Sequence, residues 1–305
     1  MSTTLDEAPT PSPRPSRHRG DRVRTAVRGV GEVLITVGLV LLLLVVYEVY
    51  WTDVVSAGKQ QDATTALDQV WAGGDNPVIA APAASAAPVT GQQRTATSSV
   101  APGQGFAKMR IPSFGPDYQF TVLEGTGEDT LAVGPGHYTG TAFPGEPGNF
   151  AVAGHRVGKG APFNDLDLLK SCDSIIVETA GSWFVYRVLP MGDEVAGWAG
   201  GKGSTDPLCM GRSGENTPVT PLGGAYTGVV GQEIVAPSQS QVIAPVPNNP
   251  GAVPSPADSA ALLTLTTCHP RFSAEQRLII HAVLVKTWAK DGSARGQLPP
   301  EITAG

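Results

Sequence analysis

The sequence predicts a mainly β protein, a small β-barrel with one or two short helices, preceded by a single membrane-spanning helix and a disordered linker. Three observations carry that prediction. One uninterrupted apolar span lies near the N-terminus, Val30 to Trp51. From Phe106 onward, β-branched and aromatic residues come in short runs broken by turn formers, with no long helical periodicity. The chain holds 37 Gly and 27 Pro in 305 residues, which favours strands and loops over helices.

The elements follow in order. Residues 1–29 carry six Arg against Asp6, Glu7 and Asp21, a balance of +3 that leaves −9 for the rest of a chain whose net charge is −6. This Pro/Ser/Arg-rich segment reads as disordered and cytoplasmic, and the main domain has no basic face for nucleic acid. Residues 30–51, "VGEVLITVGLVLLLLVVYEVYW", span roughly 33 Å as a helix at about 1.5 Å per residue, enough for a bilayer core near 30 Å. Glu32 and Glu48 stand near its ends, and Tyr47, Tyr50 and Trp51 form an aromatic belt. The arginines before it hold the N-terminus inside. A small-x-small cleavage site is missing after it, so it reads as an uncleaved signal-anchor in the cell membrane, with everything that follows extracytoplasmic. Residues 52–105 read as a short helical stalk and an Ala/Pro/Ser/Thr-rich linker, with a reach on the order of 50–100 Å from the membrane.

A folded module then covers 106–290. Its strand candidates are Ala107–Pro112, Tyr118–Thr126, Gly148–Arg156, a hairpin over Ser174–Leu189 around Ala180-Gly181-Ser182, Leu262–Thr267 and Arg277–Val285. Pro162–Leu169 gives at most two helical turns, with Asn164 or Asp165 as cap. Residues 190–231 are Gly-rich and read as a surface insertion; 291–305 form a tail. Many short strands without βαβ periodicity suggest the barrel. No internal repeat is visible. No CxxC pair, HExxH or acidic cluster stands in the chain, so neither a metal nor a cofactor is expected.

The chemistry centres on cysteine. Three cysteines on the outer side of a membrane cannot all pair within one chain. Cys268 ends an apolar strand, where its side chain meets a rim. A thiol needs a neighbouring cation or histidine to become a useful nucleophile. His155, at the end of "NFAVAG", is the best acid or base. His269 adjoins Cys268 but points away from it, His281 reads as packed inside a strand, His137 as a surface loop residue, and His18 is cytoplasmic. If the last two strands pair as a hairpin, Arg277 lies beside Cys268 and can hold an oxyanion. Arg156 and Arg271 compete for that role, but both fall in loops and read as solvated.

These residues match a family. "TLTTC" at Thr264–Cys268, "AGHR" at Ala153–Arg156 and "RLIIHAVLV" at Arg277–Val285 resemble, in order, the cysteine, histidine and arginine motifs of sortases, the cysteine transpeptidases of Gram-positive surfaces. With "GPGHYTG" upstream, the chain most resembles class E sortases of high-GC actinobacteria over roughly 106–290. The resemblance implies an eight-stranded barrel. It also implies that Cys268 attacks the Thr–Gly bond of a C-terminal LAxTG- or LPxTG-like sorting signal on a secreted protein. His155 would protonate the leaving amine, Arg277 would hold the oxyanion, and Thr267 would help shape that site. A lipid II-like peptidoglycan precursor amine would then resolve the thioacyl enzyme. Tyr138 is implied to select the alanine-containing signal. The chain departs from the family at Cys172 and in the long 190–231 segment, which falls near the family's substrate site. A Cys172–Cys209 disulfide would tie that insertion to the barrel; the alternative is two unpaired thiols. Two other functions stay open: an L,D-transpeptidase-like cysteine acyltransferase, against which stands Leu265-Thr266-Thr267 in place of Ser-His-Gly, and a non-enzymatic surface module.

Overall fold

Alternation of apolar and polar residues sets which face of each strand is buried, and closure of the sheet turns that face inward. The structure, a computed structural model, describes residues 19–74, 100–211, 217–290 and 299–302. Residues 1–18 of the basic segment, 75–99 of the linker, 212–216 of the insertion and most of the C-terminal tail lie outside the described residues. So do the side chains of 48–52, which include Glu48, Tyr50 and Trp51 of the expected belt.

Nine strands form one sheet: β1 (Gly105–Arg110), β2 (Gln119–Glu124), β3 (Gly136–His137), β4 (Gly148–Ala153), β5 (Ser174–Glu178), β6 (Ser182–Val188), β7 (Gln232–Val235), β8 (Ala261–His269) and β9 (Gln276–Ala289). Eight of them run in the order β6-β5-β1-β2-β3-β4-β8-β9, and a β6–β9 pairing closes the ring, giving the eight-stranded barrel. The long β9 makes closure possible. Its residues from Ala282 onward pair with β6, and Arg277–Ile280 pair with β7, which lies outside the ring. Phe106, Met109, Phe150, Val152, Leu263, Leu265, Leu278 and Ile280 point into the barrel and are essentially unexposed. Each such large side chain contributes about 1.5–3 kcal/mol by leaving water. β3 and β7 escape the sequence reading because each is too short to show alternation. The 162–169 segment narrows to one turn at Leu166–Leu168, and neither Asn164 nor Asp165 caps it with a side chain.

The chain divides into two units, 1–48 and 49–305. The helix α1 (Arg19–Ala72) contributes to both. In the first unit, Arg22–Tyr47 is long and apolar enough to cross a membrane, and its apolar side chains are exposed. In the second unit, the rest of α1 continues as the expected helix and docks on the barrel. Ser56, Gln60, Thr64 and Leu67 recur at helical spacing; Ser56 donates to the Ala132 carbonyl, Gln60 and Thr64 meet Thr121 of β2, and Leu67 is buried. Gln60 Oε1 accepts from the Thr121 amide at 2.9 Å, and Nε2 donates to the Thr121 carbonyl at 3.1 Å. β2 meets β3 only at Leu123 and Glu124, so its edge is open at Thr121. The Gln60 amide therefore stands in for a neighbouring strand. Gly134 makes room for it, since a Cβ there would fall 1.8 Å from Gln60 Nε2. Leu67 before the linker and Val100 after it are both buried in this unit.

The 190–231 segment also differs from a plain surface insertion. Trp198, Val219 and Cys209 form a small core with Cys172, Val185 and Val285 on the outer face of β6 and β9, and Trp198 Nε1 donates to the Val219 carbonyl. Cys172 and Cys209 are bonded, with Cα atoms 5.2 Å apart. Closing a 37-residue loop contributes about 3–4 kcal/mol in the chain-entropy model. Tyr226 and Val229 pack on Leu262, at the far end of β8 from Cys268. The insertion thus lies away from the cysteine. In the β7–β8 connection, Val242 packs with Ile279 and Val235.

Candidate active site

Three strand ends meet at one rim of the barrel. β8 pairs antiparallel with β9, and the register sets Cys268 opposite Arg277. β4 runs parallel to β8, with Ala153 beside Thr266. The Gly154 amide donates to the Thr266 carbonyl at 3.1 Å, so the two chains continue side by side. His155 follows at the same end of β4, two residues past Ala153, as Cys268 lies two residues past Thr266. Directly opposed residues in a sheet share a face. Leu263 and Leu265 face the core, so Thr264, Thr266 and Cys268 face outward, and Arg277, opposite Cys268, joins them. Cys268 is the free cysteine among the described residues and is half-buried.

Local packing fixes His155. Its carbonyl accepts from the Phe163 amide at 3.0 Å, closing the loop between them. Any Cβ at Gly154 would fall 2.5 Å from the Phe163 ring, so only glycine fits. His155 Nε2 is buried and has no hydrogen-bond partner among the described residues. Burial first, and the positive charge of Lys159 second, hold the ring below the ordinary histidine pKa, against a smaller upward pull from Glu128. Burial thus favours the neutral form of a ring whose Nε2 has no hydrogen-bond partner among the described residues.

Arg277 is half-exposed, and its Nη1 donates to the carbonyls of Ala274 and Gln276, each at 3.0 Å. In this state the guanidinium caps its own loop, and a substrate carbonyl would compete for it. Tyr138 follows β3, and its hydroxyl lies 2.9 Å from Thr266 Oγ1, two residues before Cys268 on the same face. Thr267 points the other way. Its buried hydroxyl donates to the Gly154 carbonyl at 2.8 Å, so it ties β8 to the strand that carries His155.

Two sequence expectations change here. Arg156 is not solvated but 3% exposed, with its guanidinium on the Cys268–His269 segment. Arg271 is exposed as expected, and pairs with Asp165 at 2.9 Å. His137 is not a surface residue but 1% exposed: its Nδ1 lies 2.6 Å from the buried Glu124 carboxylate, and Thr141 and the Ala142 carbonyl meet its other nitrogen. Nothing in the local pattern around "GPGHYTG" announces a partner thirteen residues upstream. His281 is fully buried between Thr264 and Glu233, as its strand position suggests. The groups of His, Cys, Asp and Glu among the described residues include none placed to hold a metal ion.

Comparison with known proteins adds the following. Residues 109–285 match the family model described as Sortase domain. Sortase SrtE1 of Streptomyces coelicolor is 29% identical over 268 residues, covering 86% of this chain and 58% of that protein. Sortase SrtE2 of the same organism is 28% identical over 298 residues, covering 94% and 92%. The chain thus spans little more than half the length of the first relative and nearly all of the second. Among solved structures, the SrtF sortase of Corynebacterium diphtheriae is 40% identical, with a TM-score of 0.57, over 71% of this chain and all of that one.

Proposed function

The chain belongs to the sortase family of cysteine transpeptidases, and from that premise we propose that it cleaves a C-terminal LAxTG- or LPxTG-like sorting signal between Thr and Gly and joins the carrier protein to an amine of a peptidoglycan precursor. The observation that supports this reading is the register: Cys268 lies opposite Arg277, and β4, which runs parallel to β8, ends two residues before His155.

The reaction runs in two halves. His155 takes the proton of the Cys268 thiol, the resulting thiolate attacks the threonine carbonyl carbon, and the carbonyl electron pair moves to oxygen. Arg277, turned from its loop carbonyls, donates to that oxyanion; removal of one such donor typically costs about 10²–10³ in rate. The intermediate collapses, the C–N bond breaks, and the glycine amine leaves with a proton from His155. A thioester then joins the acyl group to Cys268. The acceptor amine attacks the thioester and gives its proton to His155, and the thiolate departs. Tyr138, linked through Thr266 to the cysteine's own strand, is the proposed selector of alanine over proline in the signal. Thr267 supports from the core side by holding Gly154.

The span at Arg22–Tyr47 supports a cell-membrane anchor. The six arginines of residues 1–29 favour an N-terminus inside, and the Cys172–Cys209 bond suits an oxidising exterior. Full-length protein in detergent, given LAxTG and LPxTG peptides with a free amine, should release the C-terminal glycine fragment and form the amide product. Cleavage at another bond, or no product with either peptide, would refute the assignment.

A further inference from the structure

The residue after His155 holds the nucleophile's backbone. Arg156 Nη1 donates to His269 Nδ1 at 2.8 Å and, more weakly, to the Cys268 carbonyl at 3.4 Å. Its Nη2 pairs with Asp167 at 2.9 Å, and Asp167 also lies 3.6 Å from Arg271. One guanidinium therefore links the end of β4, the end of β8 and the turn at Leu166–Leu168. A guanidinium has donors only, so His269 Nδ1 accepts and the ring proton of His269 sits on Nε2.

This arrangement is expensive. The arginine is 3% exposed, it has Asp167 as its ion-pair partner, and its Nε–H is buried without an acceptor among the described residues. A buried, incompletely satisfied charge is weak as a source of stability and better suited to specifying geometry. The need for such a tie is visible in the ladder. The last paired residues of β4 and β8 are Ala153 and Thr266, and both His155 and Cys268 lie beyond them. Past that point, the Gly154 amide and the Thr267 hydroxyl cross between the two chains before Arg156 does.

We propose that Arg156 is a positioning residue that locks the main chain at Cys268 to the strand end bearing His155, so that thiol and imidazole keep one relative placement through both halves of the reaction. The proposal rests on the reading of Cys268 and His155 as nucleophile and acid. Arg156 acts through the His269 ring and, more weakly, through the Cys268 carbonyl.

The test uses the full-length protein with Arg156→Met, Arg156→Lys and Asp167→Asn. Imidazole ¹⁵N spectra of His269 should show the Nε2–H tautomer in the wild type and a mixture in Arg156→Met. For the proposed reaction, kcat should fall about 10²-fold in Arg156→Met, the scale of a misplacement near 1 Å, while KM changes little. Arg156→Lys should recover part of that loss. Asp167→Asn, which keeps the guanidinium but loosens its hold, should show a smaller loss of kcat. A folded Arg156→Met protein with near-normal kcat, or an unchanged His269 tautomer, would overturn the proposal. Should Arg156→Met not fold, normal kcat in both other variants would overturn it equally. No turnover by the wild type would count against the acyl-transfer reading instead, and the His269 spectra are read without substrate.

Discussion

Replacing Gln60 with alanine tests whether the second half of α1 belongs to the catalytic domain. Gln60 is 9% exposed and gives both polar atoms of its amide to Thr121. Truncation leaves the Thr121 amide and carbonyl without those partners at an otherwise open strand edge. Each buried unsatisfied backbone group costs about 1–3 kcal/mol, and water entering the vacated space recovers part of it. The expected loss is therefore about 2–4 kcal/mol. A domain of this size shifts by about 2–4 °C per kcal/mol, so Tm should drop by roughly 4–16 °C. Gln60→Glu should be worse, because a carboxylate cannot donate to the Thr121 carbonyl. Thermal unfolding followed by near-UV circular dichroism, on the full chain in detergent, reads both variants. A change under about 0.5 kcal/mol in either would mean that the helix merely lies against the barrel.

Three further outcomes are expected. Arg277→Ala should lose at least about 10²-fold in kcat/KM with its fold intact, while Arg271→Ala, which breaks an exposed ion pair, should be mild; the reverse order would move the oxyanion role to Arg271. Tyr138→Phe removes the bond to Thr266 and should narrow the preference between LAxTG and LPxTG peptides, so an unchanged kcat/KM ratio would reduce Tyr138 to packing. Lys159→Gln removes a cation that depresses His155, so the ring's titration should move up. In the wild type the unfolded ring, near pKa 6.5, binds its proton before the folded one does. Stability should therefore fall as pH drops below about 6.5 and level off below the folded value. An unmoved NMR titration of His155 in Lys159→Gln would contradict that cause.

The site was legible where chemistry follows strand ends. "LLTLTT" and "RLIIHAVLV" alternate cleanly around a single connection, so the Cys268–Arg277 pairing could be read before the fold was known. His155 followed from the same logic, a histidine just past an apolar run with glycine before it. What stayed hidden was polar burial. The α1 stripe that docks on β2 is Ser56, Gln60, Thr64 and Leu67, so its periodicity is helical but hardly apolar. Arg156 and His137 looked like loop residues because their burial depends on Asp167, His269 and Glu124, which only the tertiary fold brings near. The core under the insertion was hidden for a related reason: Trp198 stands among glycines, and its neighbours come from β6 and β9.

The central claim is that Cys268 carries the acyl group. Full-length protein mixed with a LAxTG peptide in the absence of any amine acceptor, quenched in acid and measured by intact mass, should gain the mass of the peptide up to and including its threonine. Digestion should place that mass on Cys268, hydroxylamine should remove it, and Cys268→Ala should never acquire it. An adduct on another residue, or release of the glycine fragment by the Cys268→Ala protein, would contradict the account.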